Sequence, residues 1–483
     1  MKKHNLLKVL LIMILVVVLA SWILPVTEIT DTGYETTTTN GIGIFTLANY
    51  FSIGIQIFRG IPLYILAVGG LYGVLHKIPQ YRILLDKIVA GFEGKEWLFM
   101  TIAGIFIAVL SSMAGLSFPI ILIFPFVISI ILLMGYDKIT AAMLTVGSVV
   151  AGLIGTVFSN FGVVGAGTSY APLTELTNLF GQFVSGGTYG TNENVWFKLA
   201  LLVFSVALVL INTIIYAQKH RDKNNKVEGI FVPEKVEANN KSIWPLAIIL
   251  DLLLVVIILA FISWSLFKVD LFDNITKNFV NPTGNDFSKG IYNAFNSILG
   301  LTEANSFGNW TLTEASMTIL LASGLIAFVY RKSFNSYISS FVEGVKKAFI
   351  PALLVAVSFI ILIISFDFPL EITILRPIID MNIDLKFIMI IVALLFSIFI
   401  VDPFFVVHTA SSYIASVASA SSIGLIALIW QSIYGLTMLV TPTSFVLLAT
   451  LSYLGISYGK WLKSIWKLLL ELLVVIVLVL LIF

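Results

Sequence analysis

The feature that most constrains the fold is an apolar run over residues 423–454, interrupted by Pro442 and the hydroxyl side chains of Thr441, Thr443 and Ser444. The run exceeds the roughly 20 residues that cross a bilayer upright. Proline donates no backbone hydrogen bond and frees the carbonyl one turn earlier, and in hydrocarbon such groups need partners from protein, water or ligand. The run therefore predicts a helix broken within the membrane, where secondary transporters bind substrate and ions.

The composition of the whole chain indicates a polytopic membrane protein. Of its 483 residues 59% are hydrophobic and 11% charged, and the mean hydropathy is +1.03. A soluble domain would carry about a quarter charged residues. A net charge of +2 gives no indication of a nucleic acid partner, and no nucleotide-binding motif is present. With no cysteine and four dispersed histidines, we expect neither a metal centre nor a cofactor, and no enzyme.

The order of apolar and polar segments predicts an all-α fold with about nine spanning helices, arranged as an inverted repeat. The first apolar run, residues 6–24, follows three lysines and precedes no small-residue cleavage site, so we favour a retained helix over a signal peptide. The predicted units are residues 1–52 (N-terminal helix and external loop), 53–216 (first repeat), 217–311 (cytoplasmic loop, linking helix and external loop) and 312–483 (second repeat).

Each predicted repeat contains a split apolar run followed by a broken helix. The split runs are residues 97–136 and 387–419, and the broken helices are residues 139–167 and 421–454. A split run can be two spans with a tight turn or a re-entrant hairpin; both return the chain to the same face, and we favour hairpins. Between a predicted span at 53–75 and the first hairpin, residues 78–92 have the apolar spacing of an interfacial helix.

The basic residues give an independent test of the predicted topology. It places 21 of the 28 Lys and Arg residues on the inner side, in agreement with the positive-inside rule. We therefore expect a plasma-membrane protein with a cytoplasmic N-terminus and an external C-terminus.

Several segments resemble a known family. Residues 72–96, residues 436–463 and the motif WILP at 22–25 are similar to YfcC-type and C4-dicarboxylate anaerobic carriers of the ion transporter superfamily. The resemblance implies a scaffold domain that holds a homodimer, and a transport domain of two re-entrant hairpins and two broken helices that moves as an elevator. The sequence departs from the family pattern at both hairpin tips and at the first break, in AGLSFP (114–119), VDPFFVVHTA (401–410) and SNFGVV (159–164).

The polar residues near the predicted hairpin tips and breaks are the candidate substrate-binding residues. Ser111 and Ser112 lie at the first tip, where they serve either a site or close helix packing. Ser159 and Asn160 lie at the first break, where the amide could contact a carboxylate or an amine, or cap a helix. Thr441, Thr443 and Ser444 combine a proline break, a hydroxyl cluster and the family resemblance.

Asp402 is the only acidic residue between positions 387 and 459, and the same stretch has no Lys or Arg. A charge in the bilayer centre costs about 3 kcal/mol on insertion scales, so such residues usually have a function. Asp402 is thus a candidate for substrate binding and ion coupling, against the alternative of a turn cap beside Pro403. His408 is a second coupling candidate, although a lone histidine in an apolar run is often a hydrogen-bonded packing residue.

These observations predict a secondary active transporter, ion-coupled or an exchanger, for a small polar metabolite. An acid without a basic partner favours an amino acid, possibly a basic one. A C4-dicarboxylate is the alternative, because helix N-termini and hydroxyls can bind carboxylates. A non-transporting membrane subunit or receptor is a further alternative, and a channel is less favoured because pore-lining charge is missing. The expected partners are the substrate, membrane lipid, a coupling Na⁺ or H⁺ and a second copy of the chain.

Overall fold

The computed structural model describes most of the chain. The described residues are 5–30, 33–37, 41–57, 60–113, 116, 118–157, 194–221, 233, 242–262, 264, 268–280, 305–368, 373–374, 385–401 and 422–482.

The described part of the chain is almost entirely helical, which confirms the predicted fold class. Its elements are α1 (Asn5–Ile23), β1 (Val26–Thr30), β2 (Gly33–Thr37), α2 (Ile44–Ile57), α3 (Ile61–His76), α4 (Pro79–Gly91), α5 (Glu96–Met113), the 3-10 helix η1 (Pro119–Ile123), α6 (Phe124–Leu133), α7 (Lys138–Ile154), α8 (Val195–Lys219), α9 (Trp244–Phe261), α10 (Leu271–Val280), α11 (Leu312–Val329), α12 (Phe334–Asp367), α13 (Leu385–Phe399), α14 (Ile423–Thr437), α15 (Phe445–Leu454) and α16 (Tyr458–Ile482).

A short antiparallel hairpin of β1 and β2 departs from the all-α expectation. The two strands pair from Val26 opposite Thr37 to Thr30 opposite Gly33, within the predicted external loop. Threonine, valine and isoleucine dominate β1, and β-branched residues favour extended backbone. The hairpin is thus an addition to a helical fold.

Among the described residues, seven helices are long and apolar enough to cross a membrane, or up to eight if the bent pair α3–α4 is one span. These include α1, α8, α9, α11, α12 and α16, which correspond to predicted spans. The helix α5 is also long enough, although we expected it as a hairpin arm. The predicted broken runs appear as shorter apolar helices, namely α7, α14 and α15.

One predicted span boundary was wrong. The predicted span at 53–75 is two helices, α2 and α3, because Gly60 leaves helical geometry at ψ −114° and Pro62 lies in the first turn of α3, a position that proline favours. Helix α12 has 34 residues, more than one crossing needs, and continues through Pro351. The segment predicted as interfacial forms α4, bent by 91° from α3; its location at the interface stays a prediction.

The helices pack in two groups. The first group is α1, α2, α3, α9, α11 and α12, and the second is α5, α6, α7, α8, α13, α14, α15 and α16. The main contact of the first group is between α3 and α12, where a Cβ on Gly344 would lie 2.1 Å from the carbonyl oxygen of Gly69 and one on Gly73 would lie 2.3 Å from that of Ser340. Such small residues allow membrane helices to approach closely.

The two groups meet where α12 packs against α15. Helix α4 belongs to neither group and contacts both, α3 and α9 on one side and α6 on the other. Each group takes elements from both predicted repeats, since α3 and α12 lie in one group and α7 and α14 in the other. Inverted symmetry between the repeats stays a prediction.

Candidate functional site

The predicted break at Pro442 is present. Helix α14 ends at Thr437 and α15 begins at Phe445, so the intervening residues leave helical geometry inside an otherwise apolar run. Thr441, Thr443 and Ser444 are each at most 2% exposed. The break therefore places its hydroxyl groups within protein.

Two of the predicted site hydroxyls bind the end of the neighbouring helix α13. Thr441 Oγ1 donates to the carbonyl oxygen of Ile398 at 2.9 Å, and Thr443 Oγ1 donates to the same oxygen at 2.7 Å. The two hydroxyl oxygens are 2.8 Å apart. In this conformation Thr441 and Thr443 serve to fix α13 against the break.

The backbone carbonyls freed by the break also have protein partners. Trp461 Nε1 donates to the Leu439 carbonyl at 2.9 Å and Ser358 Oγ to the Thr443 carbonyl at 2.6 Å. The Tyr458 hydroxyl donates to the Val440 carbonyl. Helices α12 and α16 thus supply the donors that a break needs in hydrocarbon.

Ser444 differs from the two threonines because it still has a donor to offer. Its oxygen accepts a weak N-cap bond from the Leu447 amide at 3.5 Å. Among the described residues its hydroxyl proton has no acceptor, and neither do the amides of Phe445 and Val446. A helix N-terminus carries positive partial charge and unpaired N–H groups, so the start of α15 is suited to bind an anion such as a carboxylate.

The two predicted tip serines, Ser111 and Ser112, contact the C-terminal part of α7 and the residues just after it. Ser112 Oγ donates to the Gly155 carbonyl at 2.7 Å and accepts from the Val157 amide at 3.3 Å, while Ser111 Oγ donates to the Val149 carbonyl at 3.0 Å. All the hydroxyl bonds of this serine pair go to α7 or the residues after it. The structure therefore gives both serines a packing role and joins the ends of α5 and α7.

Two residues of α14, which the sequence analysis did not name as site residues, bond to the C-terminal ends of α7 and α13. Gln431 Nε2 donates to the Ile154 carbonyl at 3.2 Å, and the Tyr434 hydroxyl donates to the Val401 carbonyl at 2.9 Å. Gly435 permits this approach, because a Cβ there would lie 2.5 Å from the Ile154 amide nitrogen. Both residues could have been found from the sequence, because they are polar side chains that lie one or two helical turns before the predicted break.

These helix ends surround a small cavity of about 60 Å³. Its lining residues have no charged side chain: Phe118, Val149, Val150, Leu153, Val401, Tyr434, Met438, Ser444, Phe445 and Val446. The N-terminus of α15 meets the C-terminal ends of α7, α13 and α14 there. The volume suits a few water molecules, so substrate binding requires these helix ends to separate.

Four predicted site residues, Ser159, Asn160, Asp402 and His408, lie outside the described residues, and their roles stay predictions. Within the described part of the chain, no group of three or more His, Asp or Glu side chains could hold a metal ion.

Long apolar helices and a helix broken among buried hydroxyls define the class of polytopic membrane carriers. The C4-dicarboxylate anaerobic carrier family matches residues 4–483. The chain therefore belongs to that family, as the resemblance predicted, and is a membrane carrier and not an enzyme.

Two solved structures are similar to the chain at low identity. The YdaH transporter of Alcanivorax borkumensis is 14% identical, with 99% of this chain and 98% of that chain covered and a TM-score of 0.39. MtrF of Neisseria gonorrhoeae, from a class of antimetabolite efflux pumps, is 11% identical, with 99% and 94% covered and a TM-score of 0.37. No match is found among curated proteins.

Proposed function

We propose that the chain is a secondary active carrier whose substrate places a carboxylate at the N-terminus of α15. The observation that carries the proposal is a set of three donors at this helix end that have no acceptor in the described part of the chain, namely the Ser444 hydroxyl and the amides of Phe445 and Val446, beside the cavity. One carboxylate group can accept hydrogen bonds from all three donors, so no cationic side chain is needed to bind it.

The other helix ends at the cavity favour an amino acid as the substrate. The C-termini of α7, α13 and α14 carry negative partial charge, which favours a substrate ammonium group or a coupling cation and disfavours a second carboxylate. A C4-dicarboxylate is the second candidate, because the family to which the chain belongs is described by that substrate.

Asp402 is our candidate for the group that sets charge preference or carries the coupling ion. The isolated carboxylate predicted from the sequence is neutralised either by a proton or by a neighbouring cation. Each charge moved across the membrane is worth about 2.3 kcal/mol per 100 mV. We propose Na⁺ or H⁺ as the coupling ion.

The remaining features of the proposal follow the resemblance and the distribution of charge. We propose a homodimer in the plasma membrane with a cytoplasmic N-terminus and an external C-terminus. We also propose elevator-type movement of the second helix group, α5–α8 with α13–α16, against the first, which is α1, α2, α3, α9, α11 and α12. The family resemblance and the separation of the helices into these two groups support this movement.

Uptake into proteoliposomes tests the proposal. Labelled α-amino acids, including basic ones, and C4-dicarboxylates would be supplied under imposed sodium, proton or counter-substrate gradients. We expect Ser444→Ala to raise the apparent KM by roughly 10- to 100-fold, because a hydrogen bond to a charged group is worth about 1.5–3 kcal/mol.

Ser432→Ala is the matched control, since Ser432 is buried on α14 but bonds only the carbonyls of its own helix. Ser444→Thr retains the hydroxyl and should restore affinity. Equal KM values for Ser444→Ala and Ser432→Ala would refute the proposed carboxylate site.

A further inference from the structure

A second cleft lies between the two helix groups, away from the break at Pro442. Its walls come from α3, from α12, from η1 with α6, and from α15. On the measure that gives 60 Å³ for the cavity beside Ser444 the cleft holds about 50 Å³, and it reaches about 600 Å³ only when its open mouth is included. The cleft shares no lining residue with the cavity beside Ser444.

The walls of the cleft are mainly apolar. Ile65 and Val68 on α3 face residues such as Phe124 and Ile128 on α6. The twelve residues from Ile65 to the end of α3 at His76 make eleven steps, or about 16 Å of helix at 1.5 Å per step. This length and surface are suited to a hydrocarbon chain.

One end of the cleft is basic. Lys347 lines it, and its Nζ lies 3.0 Å from Glu343 Oε1, while Lys77 Nζ lies 3.3 Å from Glu343 Oε2. A third lysine, Lys332, donates to the Lys77 carbonyl at 2.8 Å. This lysine cluster (Lys77, Lys332 and Lys347) has three positive charges beside the single negative charge of Glu343, so it is net positive.

One polar group in the cleft lacks the partner that a buried group usually has. Thr450 is 2% exposed and lines the cleft, and its hydroxyl has no hydrogen-bond partner in the described part of the protein. Buried polar groups normally find a partner, so the Thr450 hydroxyl indicates that an acceptor atom binds there.

From these observations we infer that the cleft is a binding site for an anionic phospholipid. One acyl chain lies along α3 against Ile65 and Val68, an ester or phosphate oxygen accepts from the Thr450 hydroxyl, and the anionic headgroup lies at the lysine cluster. The predicted topology places this basic end on the cytoplasmic side, where anionic lipids attract lysine and arginine residues. The inference does not depend on the transported substrate.

Lipid binding to the purified full chain tests the inference without a transport assay. Native mass spectrometry would titrate phosphatidylglycerol and phosphatidylcholine onto the protein in detergent. We expect phosphatidylglycerol to bind more tightly and to raise the melting temperature more. Lys347→Gln should weaken phosphatidylglycerol binding about tenfold, the effect of losing one hydrogen bond to a charged group.

Lys346→Gln is the matched control, because Lys346 is exposed on the same helix and does not line the cleft. Val68→Phe, which fills the cleft without changing charge, should weaken both lipids. Equal binding by Lys347→Gln and Lys346→Gln would overturn the inference even if Val68→Phe fails to fold. Equal affinity of the wild type for the two lipids would overturn it as well, and so would occupation by a free fatty acid that excludes phospholipid.

Discussion

The threonine pair at the break makes a prediction that depends on how two protons are shared. Thr441 and Thr443 make three close contacts, two with the Ile398 carbonyl and one with each other, but each hydroxyl has a single proton. Only two of the contacts can be hydrogen bonds at any time. When one hydroxyl is removed, the other can still donate to Ile398.

Valine replaces threonine with nearly the same shape and no hydroxyl. We expect Thr441→Val or Thr443→Val alone to lower the free energy of unfolding by about 0.5–1 kcal/mol, as for one ordinary hydrogen bond. The double variant leaves the Ile398 carbonyl without either side-chain donor, and we expect it to cost about 2–3 kcal/mol. The effects are therefore coupled and not additive.

The free energy of unfolding of the wild type, the two single variants and the double variant would be measured by titration with a denaturing detergent. Far-UV circular dichroism would follow the loss of helix. Thr437→Val is the control, because Thr437 Oγ1 donates only to the Ile433 carbonyl of its own helix at 2.7 Å, and it should be nearly neutral. A loss of unfolding free energy in the double variant that equals the sum of the two single losses would refute the shared-proton arrangement. A full loss of 2–3 kcal/mol in either single variant would refute it too.

Three further predictions concern packing, coupling and topology. Gly344→Ala should destabilise the protein by about 1–3 kcal/mol through overpacking, because its Cβ would lie 2.1 Å from the Gly69 carbonyl oxygen. Gly324→Ala, whose Cβ would meet only a side-chain atom at 3.8 Å, should be neutral or stabilising in the same detergent unfolding assay. Asp402→Asn should abolish pH-dependent or cation-selective uptake while leaving insertion intact, and unchanged selectivity and pH dependence would reduce Asp402 to a turn cap. Met113→Cys, at the partly exposed end of α5 in a chain with no native cysteine, should react with impermeant reagents from the side of its flanking loops if residues 97–136 are re-entrant. Reaction only from the opposite side would establish two spans.

The features predicted correctly from the sequence are those with local causes. Pro442 cannot donate a backbone hydrogen bond, so the helix break follows from a single residue. The length and apolarity of the segments identify the spans, and Gly455, at φ +65°, ends α15 in a left-handed conformation that glycine adopts readily. The wrong boundary at 53–75 came from giving hydropathy more weight than Gly60 and Pro62.

The bonding of the site was not predicted because it depends on tertiary contacts. Nothing near Ser112 in the sequence indicates that its partner is the Gly155 carbonyl, 43 positions away. Gln431 contacts Ile154 across 277 positions. The sequence identified hydroxyl-rich segments. The structure separates Thr441 and Thr443, whose hydroxyls bond the Ile398 carbonyl, from Ser444, whose hydroxyl proton has no acceptor among the residues that the structure describes.

Substrate protection of a single cysteine tests most directly whether the substrate binds at the start of α15. Val446→Cys, which lines the cavity and retains the backbone amide, would be labelled with a small permeant thiol reagent, with and without the amino acids or dicarboxylates that the protein transports. Ser464→Cys on α16, a residue that does not line the cavity, would be the control. We predict that a transported substrate slows labelling at position 446 and leaves position 464 unaffected. Labelling at 446 that does not respond to substrate, or equal protection at both positions, would contradict the proposed site.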